Sequence, residues 1–154
     1  MASTATITLT RQSGYQFLID FGLPVPTLCS DEPEPLGQGL GPTPNHLLLA
    51  SVANCLSASL VFALQKFKQD PGPMTATATA QVGRNADNRL RIERIEVRLT
   101  LAQPADTLAH LDRVLSQFEQ FCTVSMSVKQ GIDIAVEVCD PQGVVLKPMP
   151  AKAA

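Results

Sequence analysis

The chain has 154 residues, 45% of them hydrophobic and 17% charged, with a net charge of −2 and no tryptophan. This length suits one domain with its own core, and the composition excludes a disordered polymer. The absence of any basic cluster excludes the electrostatic footprint of a nucleic-acid binder.

Along the chain, period-two alternation appears first at Ile7-x-Leu9 and again at Tyr15-x-Phe17-x-Ile19-x-Phe21. Residues Arg11 to Gly14 between them read as the loop of a β-hairpin. From Pro24 to Pro42 glycine and proline are frequent, which predicts a connection with one short strand near residues 25–29. The acidic, proline-interrupted run Asp31 to Pro35 reads as a solvated extended loop.

Thr43 then caps a helix whose first position is Pro44, where a missing N–H costs nothing. The helix is expected to end near Asp70, ahead of Pro71-Gly72-Pro73, with Lys66 and Lys68 in its last turns. From Thr43 to Gln65 no residue is charged, apart from His46 when protonated. Apolar residues surround this helix, which predicts burial on most sides. Leu47 to Leu64 is also about long enough to span a bilayer. Ser51, Asn54, Ser57 and Ser59 interrupt it, however, and the amphipathic segments on either side need a core to pack on. It therefore reads as the centre of a globular fold, with no membrane partner.

A strand is predicted from Thr75 to Val82 and a turn at Asp87-Asn88. A second strand has Ile95, Val97, Leu99 and Leu101 inward and Glu96, Arg98 and Thr100 outward. Leu108, Leu111, Leu115 and Phe118 have helical spacing and predict one helix from Pro104 to about Phe121. Cys122 would continue its buried face. A short helix from about Val124 to Gln130 ends at Gly131, and a last strand from Ile132 to Val138 puts Ile132, Ile134, Val136 and Val138 on one face. From Pro141 onward the chain reads as a surface segment with little order. The expectation is an α+β fold, an antiparallel sheet around a long buried central helix, in a single domain over residues 1–140 with a tail over 141–154.

The four cysteines, Cys29, Cys55, Cys122 and Cys139, lie far apart, with no Cys-x-x-Cys and no Cys/His metal spacing. They permit three pairings, but a chain of this size needs no disulfide framework. The first ten residues lack a basic region followed by an apolar run, so the protein is expected to be cytoplasmic, with its thiols reduced. Cys55, in the middle of the charge-free helix, is either packing or a reactive thiol held away from bulk water. Free cysteine packs as a small hydrophobe, and Ser51, Cys55, Ala58 and Phe62 share one helix face. A thiol with an ordinary pKa of about 8.5 is mostly protonated at neutral pH and needs positive charge or N–H donors to react. Pro44 is eleven residues away, roughly 16 Å at 1.5 Å per residue, beyond the reach of the helix dipole, and Lys66 is as far on the other side. Activation must come from elsewhere in the fold or across a subunit interface.

The run Gly41-Pro42-Thr43-Pro44-Asn45-His46-Leu47-Leu48-Leu49-Ala50-Ser51-Val52-Ala53-Asn54-Cys55 resembles the G-P-x-P-x-x-L-L-x-A-x-x-x-C signature of the OsmC/Ohr family. These are osmotically induced and organic-hydroperoxide-resistance proteins. Phe121-Cys122-Thr123-Val124-Ser125, followed by Val128 to Ile132, resembles the family's second cysteine motif. The resemblance implies an intertwined homodimer with active sites at its interface and a thiol peroxidase acting on organic hydroperoxides. Cys55 would be the peroxidatic cysteine and Cys122 the resolving one, with an external dithiol as reductant and no cofactor or metal. Family peroxidases also use an arginine of the first hairpin, for which Arg11 is the candidate. They carry a glutamate ten residues before the cysteine, where this chain has Asn45, followed by His46. The missing carboxylate keeps a second class of function open: an OsmC-like small-molecule-binding or structural module without catalysis. A general cytoplasmic thiol reserve is a third. Cys29 and Cys139 match no motif of the family.

Overall fold

The first alternating stretch folds as a hairpin. In the computed structural model, which describes residues 3–151, β1 (Thr8–Ser13) pairs antiparallel with β2 (Gln16–Asp20), and β2 with β3 (Leu28–Ser30). The turn is tighter than expected. Gly14 takes a φ of 46°, which glycine adopts freely, so the ladder runs on and Arg11 belongs to β1, opposite Phe17, rather than to the loop.

Asp31, expected in a solvated loop, is buried instead. Its carboxylate accepts the backbone N–H groups of Glu32 (2.8 Å), Gln38 (3.0 Å) and Leu40 (3.3 Å). Burial alone would push this acid up, but the N–H groups of Gln38, Leu40 and Glu32 together hold it below the ordinary carboxylate range. The chain then returns to β3, where Ser30 Oγ donates to the Pro42 carbonyl at 2.8 Å. A side chain at Gly41 would run into the backbone carbonyl of Cys29, so only glycine fits that approach. Thr43 and His46 cap α1 reciprocally: His46 N–H donates to Thr43 Oγ1 (3.4 Å) and Thr43 N–H to His46 Nδ1 (3.3 Å). This is a capping box with histidine in the place usually held by Glu or Gln.

The chain divides between Leu48 and Leu49 into two compact units. α1 (Pro44–Gln65) begins in the first and continues into the second. It is long and apolar enough to cross a membrane, and 39% of its most apolar window is buried. It stops five residues short of the expected end. Lys66 and Lys68 follow it, and Lys68 has a φ of 59°, which ends the helical path. Burial is one-sided. Val52, Leu56, Ser59, Leu60, Ala63 and Leu64 are buried, while Ala50, Ser51, Asn54, Ala58 and Phe62 are exposed.

A four-stranded sheet in the order β4 (Thr75–Arg84), β5 (Leu90–Thr100), β6 (Asp133–Cys139), β7 (Val145–Lys147) completes the second unit. Ile95, Val97, Leu99 and Leu101 are all inward, at 0–1% exposure, as their alternation predicts. The sheet is not antiparallel throughout, because β5 and β6 run parallel. A parallel pair needs a long crossover, which residues 101–132 supply. β6 is buried at Ala135 as well as at Val136 and Val138, so both of its faces are covered. In the segment expected as a tail, β7 pairs with β6, and Arg94 reaches Pro150. Arg94 is buried, with Nε on Glu96 (2.8 Å), Nη1 on Asp133 and Nη2 on the Pro150 carbonyl (2.6 Å).

The helix expected from Pro104 to Phe121 is broken. Ala105–Thr107 is a 3-10 turn, α2 spans Leu111–Gln117, and Phe118–Phe121 is again 3-10. Tertiary contacts override the helical spacing at His110. Its φ is 57°, its ring stacks on Phe67 at 4.9 Å, and Gln69 Nε2 takes the Ala109 carbonyl at 2.6 Å. α3 (Thr123–Val128) follows.

Asp31 carries a pH signature. Because its folded pKa is depressed, its contribution to stability is present above the unfolded value of about 3.9 and is lost as pH falls through the folded value. The protection of the Gln38 and Leu40 amides, measured as hydrogen exchange relative to the intrinsic rate at each pH, should therefore fall on acidification in the native protein and be lower at neutral pH in Asp31→Ala. Separately, Thr43→Ala should lower stability in urea by about 1 kcal/mol.

Candidate active site

The two cysteines that the motifs single out are neighbours. The Cys55 thiol lies in the middle of α1 beside the Cys122 sulfur and the Thr123 and Val124 backbone N–H groups, close enough for each to influence its ionisation. All four described cysteines are free thiols. Cys122 is fully buried, yet it does not continue a helical face. Its backbone is extended (φ −84°, ψ 99°), between the 3-10 turn and α3, and its sulfur accepts the Ser125 N–H at 3.3 Å. The residue caps α3. That position explains a feature the sequence reading missed: the residues just after a cap have N–H groups not used within their helix, and those of Thr123 and Val124 face Cys55. The signal was present in the sequence as a cysteine followed by Thr-Val-Ser and a short helical run.

Cys55 is half-buried and opens on a cavity of about 370 Å³ lined by Cys55, Ala58, Ser59, Phe62 and Phe121. Ser59 is not an activating group, because its hydroxyl donates to the Cys55 carbonyl at 2.8 Å. Phe62 and Phe121 meet edge to face, with centroids 5.3 Å apart, and form one end of the cavity. Lys66 Nζ sits over both rings, 4.0 Å from the Phe121 centroid and 4.7 Å from that of Phe62.

The electrostatics within this unit oppose ionisation of Cys55. Burial pushes the thiol up, and hydrogen bonding and charge repulsion from Cys122 add to it. The N–H groups of Val124 and Thr123 pull the other way without reversing the shift. The fold holds the two sulfurs together, but this environment does not by itself make a thiolate of Cys55.

The other sequence candidates stand elsewhere. Arg11 lies on β1 in the first unit, its Nε donating to the Gly14 carbonyl at 3.0 Å. Asn45 is exposed in the first turn of α1, and His46 is committed to the helix cap. Cys29 accepts from Gln16 Nε2 at 3.4 Å. Cys139 is buried, and its thiol is pushed up by burial and then by the neighbouring Glu137 carboxylate. Among the described residues no group of three or more His, Cys, Asp or Glu is arranged to hold a metal ion.

Comparison with known proteins gives a consistent result. The family model described as OsmC-like protein matches residues 37–137. An OsmC-like protein from Mycoplasma pneumoniae superposes with a TM-score of 0.75 at 15% identity, covering 91% of this chain and 99% of that one. An osmotic stress induced and detoxification response protein from Psychrobacter arcticus gives 0.73 at 20% identity over 90% and 98%. An organic hydroperoxide resistance protein from Elizabethkingia anophelis gives 0.71 at 19% identity over 91% and 99%. No curated protein matches the sequence.

The pKa balance at Cys55 can be measured by the pH dependence of its alkylation with iodoacetamide. Because Cys122 raises the Cys55 pKa, Cys122→Ala should shift the Cys55 profile to lower pH. An unchanged or upward-shifted profile would contradict the geometry.

Proposed function

Because the chain belongs to the OsmC-like protein family, we propose that it is a thiol-dependent peroxidase reducing organic hydroperoxides through Cys55 and Cys122. The observation that carries this reading is the pairing of an accessible thiol on an apolar cavity with a fully buried second thiol directly behind it. A hydroperoxide entering the cavity would meet Cys55 first, which supports Cys55 as the attacking and Cys122 as the resolving thiol. The names of structural neighbours such as the Elizabethkingia anophelis organic hydroperoxide resistance protein point to the same substrate class.

The chemistry follows from thiol reactivity. The Cys55 thiolate attacks the distal oxygen of R–O–O–H and the O–O bond breaks. The leaving alkoxide takes a proton to become the alcohol, and Cys55 becomes a sulfenic acid. The Cys122 sulfur attacks the Cys55 sulfur, water leaves, and a Cys55–Cys122 disulfide forms. An external dithiol then reduces it to two thiols and is itself oxidised to a disulfide. The 3.3 Å hydrogen bond from Ser125 N–H holds the Cys122 sulfur in place for the second step.

The raised Cys55 pKa leaves the first step in need of a cation. Arg11 is assigned that role, with its guanidinium stabilising the thiolate. A second copy of the chain is assigned to the exposed face of α1 formed by Ala50, Ser51, Asn54, Ala58 and Phe62, which carries no charge and would be covered in a homodimer.

Asn45 in place of the family glutamate and the raised Cys55 pKa favour the second reading, a binding module that has kept the fold without turnover. The two readings separate cleanly. Treating reduced protein with cumene hydroperoxide and mapping disulfides by mass spectrometry should give a Cys55–Cys122 linkage, and Cys122→Ser should leave a sulfenic acid on Cys55 that dimedone traps. Cys55→Ser should abolish turnover, and Arg11→Gln should lower kcat/KM about tenfold or more, the effect of one pKa unit. If Cys55 stays a thiol while other cysteines oxidise, and no dithiol supports turnover, the peroxidase reading is wrong and the binding module stands.

A further inference from the structure

The chain beyond residue 137 lies outside the family match, yet its course is well defined. The Asp140 carboxylate is buried and accepts the N–H groups of Gln142 (2.9 Å) and Val144 (2.8 Å), which folds the turn into β7. Lys147, at the end of β7, stands opposite Val138 of β6. Beyond it the Pro150 carbonyl is held by the buried Arg94 guanidinium. Fixed on both sides, Lys147 reaches Glu119, with Nζ 2.8 Å from Oε1.

Glu119 belongs to the 3-10 turn Phe118–Phe121, which leads directly into Cys122. Residues three apart eclipse in this geometry, so Phe118 and Phe121 share one face. Phe118 is fully buried, and Phe121 packs on the Phe62 ring as a wall of the Cys55 cavity. Glu119, about 120° round the axis from Phe118, is off that face, and there Lys147 grips it. Its backbone carbonyl accepts the Cys122 N–H at 3.1 Å. One ion pair and one hydrogen bond thus connect Lys147 to the backbone of Cys122, whose sulfur lies beside Cys55.

We propose that Lys147 is a positioning residue for the cysteine pair: through Glu119 it fixes the turn that presents the Cys122 sulfur to Cys55. It thereby speeds closure of a Cys55 sulfenic acid to the disulfide, a role that rests on the reading of Cys55 as attacking and Cys122 as resolving thiol. In that step Cys55–SOH and Cys122–SH condense, the S–S bond forms and water leaves. Lys147 is not part of the Cys55 cavity lining and takes no part in O–O cleavage. A partly exposed ion pair adds little to global stability. Geometry is far more sensitive, since a misplacement of about 1 Å can slow a step about 100-fold.

The test compares native protein with Lys147→Gln, Lys147→Arg, Glu119→Gln and the double variant Lys147→Gln/Glu119→Gln. Its first arm needs no hydroperoxide. The two thiols are equilibrated with glutathione disulfide, which accepts two electrons and becomes two glutathione thiols. Lys147→Gln and Glu119→Gln should each lower the equilibrium constant for the Cys55–Cys122 disulfide about tenfold, with urea midpoints near native. The double variant should be no worse than either single one, and Lys147→Arg should stay near native. In single turnover with cumene hydroperoxide, Lys147→Gln should lengthen the lifetime of the dimedone-reactive Cys55 sulfenic acid by a similar factor. A native glutathione equilibrium in Lys147→Gln, or a defect that Lys147→Arg shares, overturns the proposal. So does a native protein whose two sulfurs never close in glutathione buffer. If native protein forms no sulfenic acid, the peroxidase reading falls, while the glutathione arm still decides whether Lys147 positions the pair.

Discussion

The site depends on how the second half of α1 and the turn after it lie along residues 109–124. The contacts run in opposite chain directions: Cys55 beside Cys122, Phe62 on Phe121, Lys66 over Phe121, Phe67 against His110 and Arg113, and Gln69 on the Ala109 carbonyl. This antiparallel alignment brings a cysteine in mid-helix to one that is 67 positions away in sequence. It also accounts for the broken second helix. A continuous helix through His110 would tie up the backbone that Gln69 holds, and one through Cys122 would turn its sulfur away from its capping bond. Local helical spacing loses because the gain on the other side is tertiary: ring-on-ring contacts, two cations over aromatic faces and a satisfied carbonyl.

Much of this was legible in the sequence, for identifiable reasons. The alternation of Ile95, Val97, Leu99 and Leu101 has a single physical interpretation, and all four are buried. The Thr43 cap and Pro44 start of α1 follow from backbone chemistry that any helix must satisfy. The two cysteine motifs identified the pair that the fold brings together. Illegible were the parallel pairing of β5 with β6, which depends on where a crossover lands, and the left-handed backbone at His110, which the helical spacing on either side of it conceals. The buried Asp31 was misread because an acidic, proline-rich run normally points to solvent. Three backbone N–H groups, invisible to composition, make the interior acceptable to it. Nor does a sequence pattern show that the N–H groups of Thr123 and Val124 would aim at a thiol more than 60 residues earlier.

At Cys55 a candidate thiol site and core packing share one helix. A charge-free α1 lets its Val52, Leu56, Leu60 and Leu64 stripe enter the core without stranding an ion. The same absence of charge leaves the thiol with nothing on its own helix to ionise it. The N–H groups near Cys122 go part of the way, and Cys122 itself works against them. The unit that contains both sulfurs thus supplies proximity and an apolar approach, and the charge needed for reactivity is a separate provision. Such a division lets one scaffold serve as a reactive or a silent thiol site without rebuilding its core.

The capping bond from Ser125 to the Cys122 sulfur means that one atom carries two unrelated duties, anchoring a helix and presenting a thiol. Replacement by serine keeps an acceptor at the head of α3 while removing the sulfur, whereas alanine removes both. The difference between those two variants therefore measures the cap alone, and a loss of activity common to both belongs to the sulfur. Few buried cysteines allow architecture and reactivity to be separated by a single choice of replacement.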